Sequence, residues 1–169
     1  KPAIFTKELS SRFHAGPVAF YDKGKKMVFT STGEGTGDDG ARTLQLYFGE
    51  LQNGEWKTTL AFPFNSANYS VTDPSINSDG TILYFSSDMP GGLGGKDLYR
   101  SEFINGQWSR PVNLGDPVNT AYDEAFPYLH QNRTLYFSSN GHAGIGGLDI
   151  FKAEIGRDGF DEVVNAGYP

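Results

Sequence analysis

The sequence predicts an all-β fold built from one four-stranded antiparallel unit repeated three times, and three observations carry that prediction. A period of 52 positions runs along the chain. Trp56, Trp108 and Phe160 are evenly spaced, Tyr84-Phe85-Ser86-Ser87 recurs as Tyr136-Phe137-Ser138-Ser139, and Asp97-Leu98-Tyr99 recurs as Asp149-Ile150-Phe151. A fixed period of that length marks one supersecondary unit copied along the chain. The composition suits short strands and tight turns, with 22 glycines and 14% aromatic residues in 169 positions, and no long amphipathic helical pattern interrupts it. Finally, the second strand of each unit is apolar at consecutive positions, as in Ile82-Leu83-Tyr84-Phe85, so both of its faces need a neighbour.

In chain order, residues 1–16 carry little pattern; Phe5, Leu9 and Phe13 are spaced by four and allow a helical turn. Pro17 opens the first repeat, with a strand near Val18–Tyr21, a turn at Asp22-Lys23-Gly24, and a second strand at Lys26–Ser31. A glycine-rich loop from Thr32 to Thr43 leads to Leu44–Leu51, and Asn53-Gly54 turns the chain into Glu55–Ala61. The second repeat starts at Asp73 and the third near Glu124. Gly24, Gly80 and Asn132 occupy the same corner before the second strand, where a tight turn asks for positive φ. The first repeat is longer because its loop after the second strand is expanded relative to Asp88–Lys96, and a surface loop absorbs such an insertion.

Pro111 interrupts the fourth strand, Gln107–Asn113, and proline is tolerated mainly at a sheet edge. Four antiparallel strands, with a doubly buried strand near the middle and a proline-bearing outer edge, describe a β-propeller blade. The expected organisation is one propeller segment, 1–169, with repeats at about 14–70, 71–123 and 124–169. Propellers close with four to eight blades. Asn165-Ala166-Gly167 falls where Asn113-Leu114-Gly115 leads on to another blade, so the chain is expected to be a fragment of a larger ring.

A net charge of −6 and a pI near 5.0 exclude a basic surface for nucleic acid. No apolar run approaches a membrane span. The absence of cysteine excludes disulfides, thiolate metal sites and cysteine nucleophiles. The chain begins at Lys1 without an initiating methionine, which implies processing or excision. Asn68-Tyr69-Ser70 and Asn132-Arg133-Thr134 fit the N-glycosylation triplet, a pattern common by chance.

The motifs resemble the WD-like, TolB-type propeller repeats of OmpA-family envelope proteins, including those linked to type IX secretion. The resemblance rests on Ser78-Asp79-Gly80 before Ile82–Ser87, on Gly91-Gly92-Leu93-Gly94-Gly95-Lys96-Asp97-Leu98-Tyr99, and on Trp108-Ser109-Arg110-Pro111-Val112-Asn113-Leu114-Gly115. Val118-Asn119-Thr120 through Asp123-Glu124 and His14-Ala15-Gly16-Pro17-Val18 extend it over nearly the whole chain. The first repeat departs from the pattern, with Gln45 at the position of Asp97. The resemblance implies a non-catalytic interaction module without cofactor or metal, located in the periplasm or at the outer membrane. Its partners would be other envelope proteins, and peptidoglycan only through a separate OmpA-like module outside this sequence.

Each candidate site has a chemical and a structural reading. Asp97 and Asp149 end glycine-rich loops; they suit calcium by analogy with Gly-Gly-x-Gly-x-Asp repeats, or they accept hydrogen bonds from loop N–H groups. Asp73, Asp123 and Glu124 lie close to where a propeller's channel opens, and could hold a cation or form an acid/base pair; Asp73 before Pro74 also suits a turn. His14, His130 and His142 occupy different repeat positions, and no local metal or nucleophile motif accompanies them. The paired serines 86–87 and 138–139 belong to the repeat. Trp56, Trp108 and Phe160 suggest sugar stacking or, from their identical placement, packing between blades. The loops Asp88–Lys96 and Asn140–Leu148 differ most between matching blades. They make Asp88, Met89, Pro90, Lys96, Asn140 and His142 candidates for partner recognition, or they serve only to turn the chain.

The function expected on these grounds is a non-catalytic docking module of a Gram-negative envelope. An enzyme should carry polar residues that break the repeat around its channel, and the sequence shows mostly residues that conform to it. The alternatives are the propeller portion of a hydrolase, either a peptidase or a glycan-active enzyme, and a carbohydrate-binding propeller.

Overall fold

A computed structural model describes residues 15–157 and 159–167. The spacing at Phe5, Leu9 and Phe13, and His14, lie outside the described residues. Three antiparallel sheets follow one another along the chain. The first contains β1 (Ala15–Tyr21), β2 (Lys26–Thr32), β3 (Leu44–Gln52) and β4 (Glu55–Ala61), paired in that order. The second contains β5 (Val71–Ile76), β6 (Ile82–Ser87) and β7 (Asp97–Ile104), with β8 (Gln107–Trp108) and β9 (Val112–Asn113) both paired to β7. The third contains β10 (Glu124–His130), β11 (Thr134–Ser139), β12 (Asp149–Glu154) and β13 (Val164–Asn165). Twelve strands were expected. The described residues form thirteen, because the outer strand of the second blade is split on either side of Pro111, which cannot donate to the ladder.

Local chemistry explains the corners. Asn53-Gly54 and Asn105-Gly106 have φ of 54°, 84° and 51°, 81°, the paired positive values of a type I′ hairpin turn. Gly24, Gly80 and Asn132 also take positive φ, at 78°, 72° and 55°, so the shared corner read in the sequence is a shared backbone conformation.

The core lies between blades. Val28, Leu46, Phe48 and Phe62 of the first blade and its linker pack against Leu83, Phe85, Tyr99 and Trp108 of the second. Tyr84 and Leu98, on the other face of the second blade, pack against Leu135, Phe137 and Phe151 of the third. β6 is therefore buried on both faces, Leu83 and Phe85 toward one neighbour and Tyr84 toward the other. Each such side chain contributes about 1.5–3 kcal/mol by leaving water.

Trp108 stacks on Phe48 at 5.4 Å and so bridges two blades. Phe160, its counterpart, packs with the cluster between the second and third blades. Trp56 sits with Met27 and Phe29 on the remaining face of the first blade. On the third blade the face equivalent to Tyr84 and Leu98 has no further blade against it among the described residues, and Tyr128, Ile150 and Val164 are 59%, 58% and 47% exposed.

Two linker asparagines tie the blades together. The Asn119 side chain accepts from the Leu98 N–H at 2.8 Å and donates to the Leu98 carbonyl at 2.9 Å. Asn65 does the same for Leu46, at 2.9 and 2.8 Å. A carboxamide carries both a donor and an acceptor, so it continues a strand ladder as a backbone amide would.

Leu98 and Ile150 occupy equivalent positions with opposite burial, at 0% and 58% exposed. In denaturant unfolding, Leu98→Ala should cost about 2–5 kcal/mol, whereas Ile150→Ala should stay within about 1 kcal/mol. Asn119→Asp keeps the acceptor but loses the donor, and should cost about 1–3 kcal/mol.

Candidate functional site at the inner strands

The first strands of the three blades are neighbours: β5 packs against both β1 and β10. Each carries a bulge at the same place, where the register shifts between Ala15 and Val18, between Thr72 and Ser75, and between Ala125 and Tyr128. Each shift spans two residues, Gly16-Pro17, Asp73-Pro74 and Phe126-Pro127, so the proline is shared and the residue before it differs: Gly16, Asp73 and Phe126. Asp73 and Phe126 take φ of 54° and 51°. A non-glycine residue in that region costs about 1–3 kcal/mol, and such positions gather at functional sites.

Asp73 is therefore not the turn residue that the Asp73-Pro74 dipeptide suggested. It lies within β5 and is only 7% exposed. Its carboxylate accepts the Thr72 hydroxyl at 2.9 Å, and its own N–H donates to the Thr30 hydroxyl of the first blade at 3.2 Å. Burial raises its pKa above the ordinary value, against the opposing pull of the Thr72 hydrogen bond, the Lys96 charge and the Phe126 N–H.

Asp123 and Glu124 play different parts. Glu124 is fully buried at the start of β10. Its two oxygens are taken up by the Thr120 N–H at 2.9 Å, the Thr120 hydroxyl at 2.7 Å and the Ser139 hydroxyl at 2.7 Å. Asp123 accepts the backbone N–H of Lys96 at 2.9 Å. Lys96 thus links two carboxyl groups, touching Asp123 through its backbone and acting on Asp73 through its charge. Among the described residues no three His, Asp or Glu side chains converge on a cation, so the three carboxyl groups do not assemble the metal site considered from sequence.

The remaining candidates are held by local bonds. Asp97 accepts from the Leu93 and Gly94 N–H groups at 2.5 and 3.0 Å and from Asn113 at 2.7 Å. Asp149 accepts from Ile145 and Gly146 at 2.7 and 3.0 Å. In the first blade Gln45 fills the same corner, donating to the Ser66 carbonyl at 3.0 Å and accepting from Tyr47 at 3.0 Å. Ser86 donates to the Glu124 carbonyl at 2.7 Å, which joins the second and third blades. Ser87 donates to the Ser70 carbonyl at 2.6 Å.

The loop residues divide. Asp88 and Pro90 are exposed, although Asp88 caps the Ser70 N–H at 2.6 Å. Met89 packs on the first core cluster, and Asn140 accepts the Asp123 N–H at 2.8 Å. His142 places Nε2 2.9 Å from the Val118 carbonyl and rests on Phe151, with ring centroids 5.0 Å apart. His130 lies on the exposed face of the third blade beside Tyr128 and Tyr136. At Gly94 a Cβ would overlap the Tyr122 carbonyl oxygen, so glycine there lets the loop lie against the linker before the third blade.

No family model matches the chain, and no curated protein sequence matches it. Solved structures share its fold, among them two glycoside hydrolases. An α-L-arabinofuranosidase from Lactobacillus brevis superposes with a TM-score of 0.55 at 16% identity, covering 79% of this chain and 46% of its own. A thermostable family-43 glycoside hydrolase superposes with a TM-score of 0.51 at 18% identity, covering 90% of this chain and 53% of its own. The chain spans about half the length of each, and the likeness assigns it the β-propeller fold. It also corrects the expectation of a non-catalytic module, because both of these propellers are glycoside hydrolases. That expectation rested on repeat-conforming residues. The repeat is in fact broken at the innermost position, where Gly16, Asp73 and Phe126 replace one another before a shared proline. What the likeness shows for this chain is the β-propeller fold.

Proposed function

We propose that this chain is the propeller portion of a glycan-active hydrolase, with its reacting groups at the inner strands. The observation that carries the reading is Asp73, a buried carboxyl with a raised pKa, on the innermost strand of a fold shared with two glycoside hydrolases. Glycoside hydrolysis commonly uses two carboxyl groups, one kept protonated to donate to the leaving oxygen and one ionised. In this proposal Asp73 gives its proton to the glycosidic oxygen as the bond to the anomeric carbon breaks. Asp123, the other carboxyl group linked to Lys96, takes a proton from the water that attacks that carbon. The envelope setting implied by the sequence resemblance belongs to the same proposal, since an exported enzyme would meet polymeric glycans there.

The test is turnover of aryl arabinofuranosides and xylosides by the protein carrying this chain. Asp73→Asn should lower kcat by about 10²–10⁴-fold, the usual contribution of a positioned acid. It should also remove the limb of the pH profile on which activity falls as Asp73 ionises. If no glycoside is hydrolysed, or if Asp73→Asn leaves kcat unchanged, the reading is wrong.

Stability supplies a second check. A carboxyl whose folded pKa lies above its unfolded value costs nothing while both states are protonated. It costs stability as pH rises past the unfolded value, near 3.8, and through the folded one. Thermal melts should therefore show Asp73→Asn more stable than the parent at pH 7, with the difference closing by about pH 3.5.

A further inference from the structure

The two interfaces between blades are built from the same repeat positions but are not filled alike. In the first, Phe48 of β3 stacks on Trp108 of the next blade, with ring centroids at 5.4 Å and planes 17° apart. In the second, the corresponding residues are Arg100 of β7 and Phe160. A cation replaces one ring and a smaller ring replaces the other, and a cleft lies beside them. It measures about 260 Å³ and is lined by Ile82, Tyr84, Arg100, Leu129, Arg157 and Phe160, among others. Arg100 and Phe160 also border an adjoining cleft of about 340 Å³, where Glu102 and Asp116 stand.

Arg100 is incompletely satisfied. One guanidinium nitrogen pairs with Glu102 at 2.8 Å, and the Tyr84 hydroxyl bonds to the group. Its Nε is buried and has no hydrogen-bond partner among the described residues. Native structures pair such donors with protein, water or a ligand. The walls beside it are apolar, and among the described residues that line it the first cleft carries two arginines and no acidic side chain. Apolar walls with a few convergent polar groups are the usual make-up of a small-molecule site.

We propose that this cleft binds a small carboxylate bearing an apolar ring, the carboxylate on Arg100 and the ring among Ile82, Leu129 and Phe160. The guanidinium fork suits a carboxylate better than any neutral acceptor. The cleft lies at the hairpin end of β6, around Ile82, whereas Asp73 lies toward the Ser87 end. None of its lining residues is Asp73, Asp123 or Glu124, and the proposal does not depend on the hydrolase reading.

The probe is phenylacetate, with phenylacetamide as its neutral counterpart, titrated by calorimetry and by chemical shifts of the Arg100 Nε–H. Phenylacetate should bind saturably with Kd in the millimolar range or tighter, and at least about tenfold more tightly than the amide, as loss of a charge-assisted pair requires. Arg100→Phe restores the ring found at Phe48, and should abolish binding while the protein melts no lower than its parent. Phe160→Trp narrows the cleft with Arg100 intact and should weaken binding of the ligand. The site is refuted by any of three results: no saturation with phenylacetate, equal binding of the amide, or unchanged binding in folded Arg100→Phe and Phe160→Trp proteins.

Discussion

Each blade depends on its neighbour for the second face of its second strand. Leu83 and Phe85 need the first blade, and Tyr84 needs the third. No single sheet here can bury its own strands, so stability is a property of interfaces rather than of units. The polar bonds follow the same rule. Thr30 binds Asp73, Ser86 binds Glu124, and Ser75 binds Leu129, each across a blade boundary. The linkers belong to the same system, with Asn65 and Asn119 fastening a passing segment to the third strand of the blade it leaves.

This dependence explains which parts of the structure could be read from sequence. Turns are local, and Asn53-Gly54, Gly80 and Asn132 declared them through backbone preference alone. The doubly apolar second strands were legible because consecutive large hydrophobic residues admit few other arrangements. The bulges were not, since nothing in Thr72-Asp73-Pro74 distinguishes a bulge within a strand from a turn before one. Its cause is the opposing strand, through the pairing of Thr72 and Ser75 with Ser86 and Tyr84. Likewise His142 read as a loop residue offered to a partner, and only the fold shows the Val118 carbonyl that holds it.

The candidate site was half legible for the same reason. Asp73, Asp123 and Glu124 stood out as acidic residues near the inner strands, but sequence treats them as equals. Packing separates them. Glu124 spends its oxygens on Thr120 and Ser139 and becomes a fastener between linker and sheet. Asp73 is buried with fewer bonds and has its pKa raised, a state suited to holding a proton. Burial and partner count, neither visible along the chain, decide which carboxylate can do chemistry.

The shared bulge has a further consequence for how these strands can change. An inserted residue reverses the alternation of side chains, so odd positions that point one way before the bulge point the other way after it. Each inner strand therefore carries two opposite inside-outside codes joined at one residue. A binary pattern designed for an uninterrupted strand would place half of its apolar residues on the wrong side. The residue before the shared proline at the joint belongs to neither code, which leaves it free to be glycine in one blade, aspartate in the next and phenylalanine in the third. Variation can accumulate at that point in the wall without disturbing the alternation on either side of it.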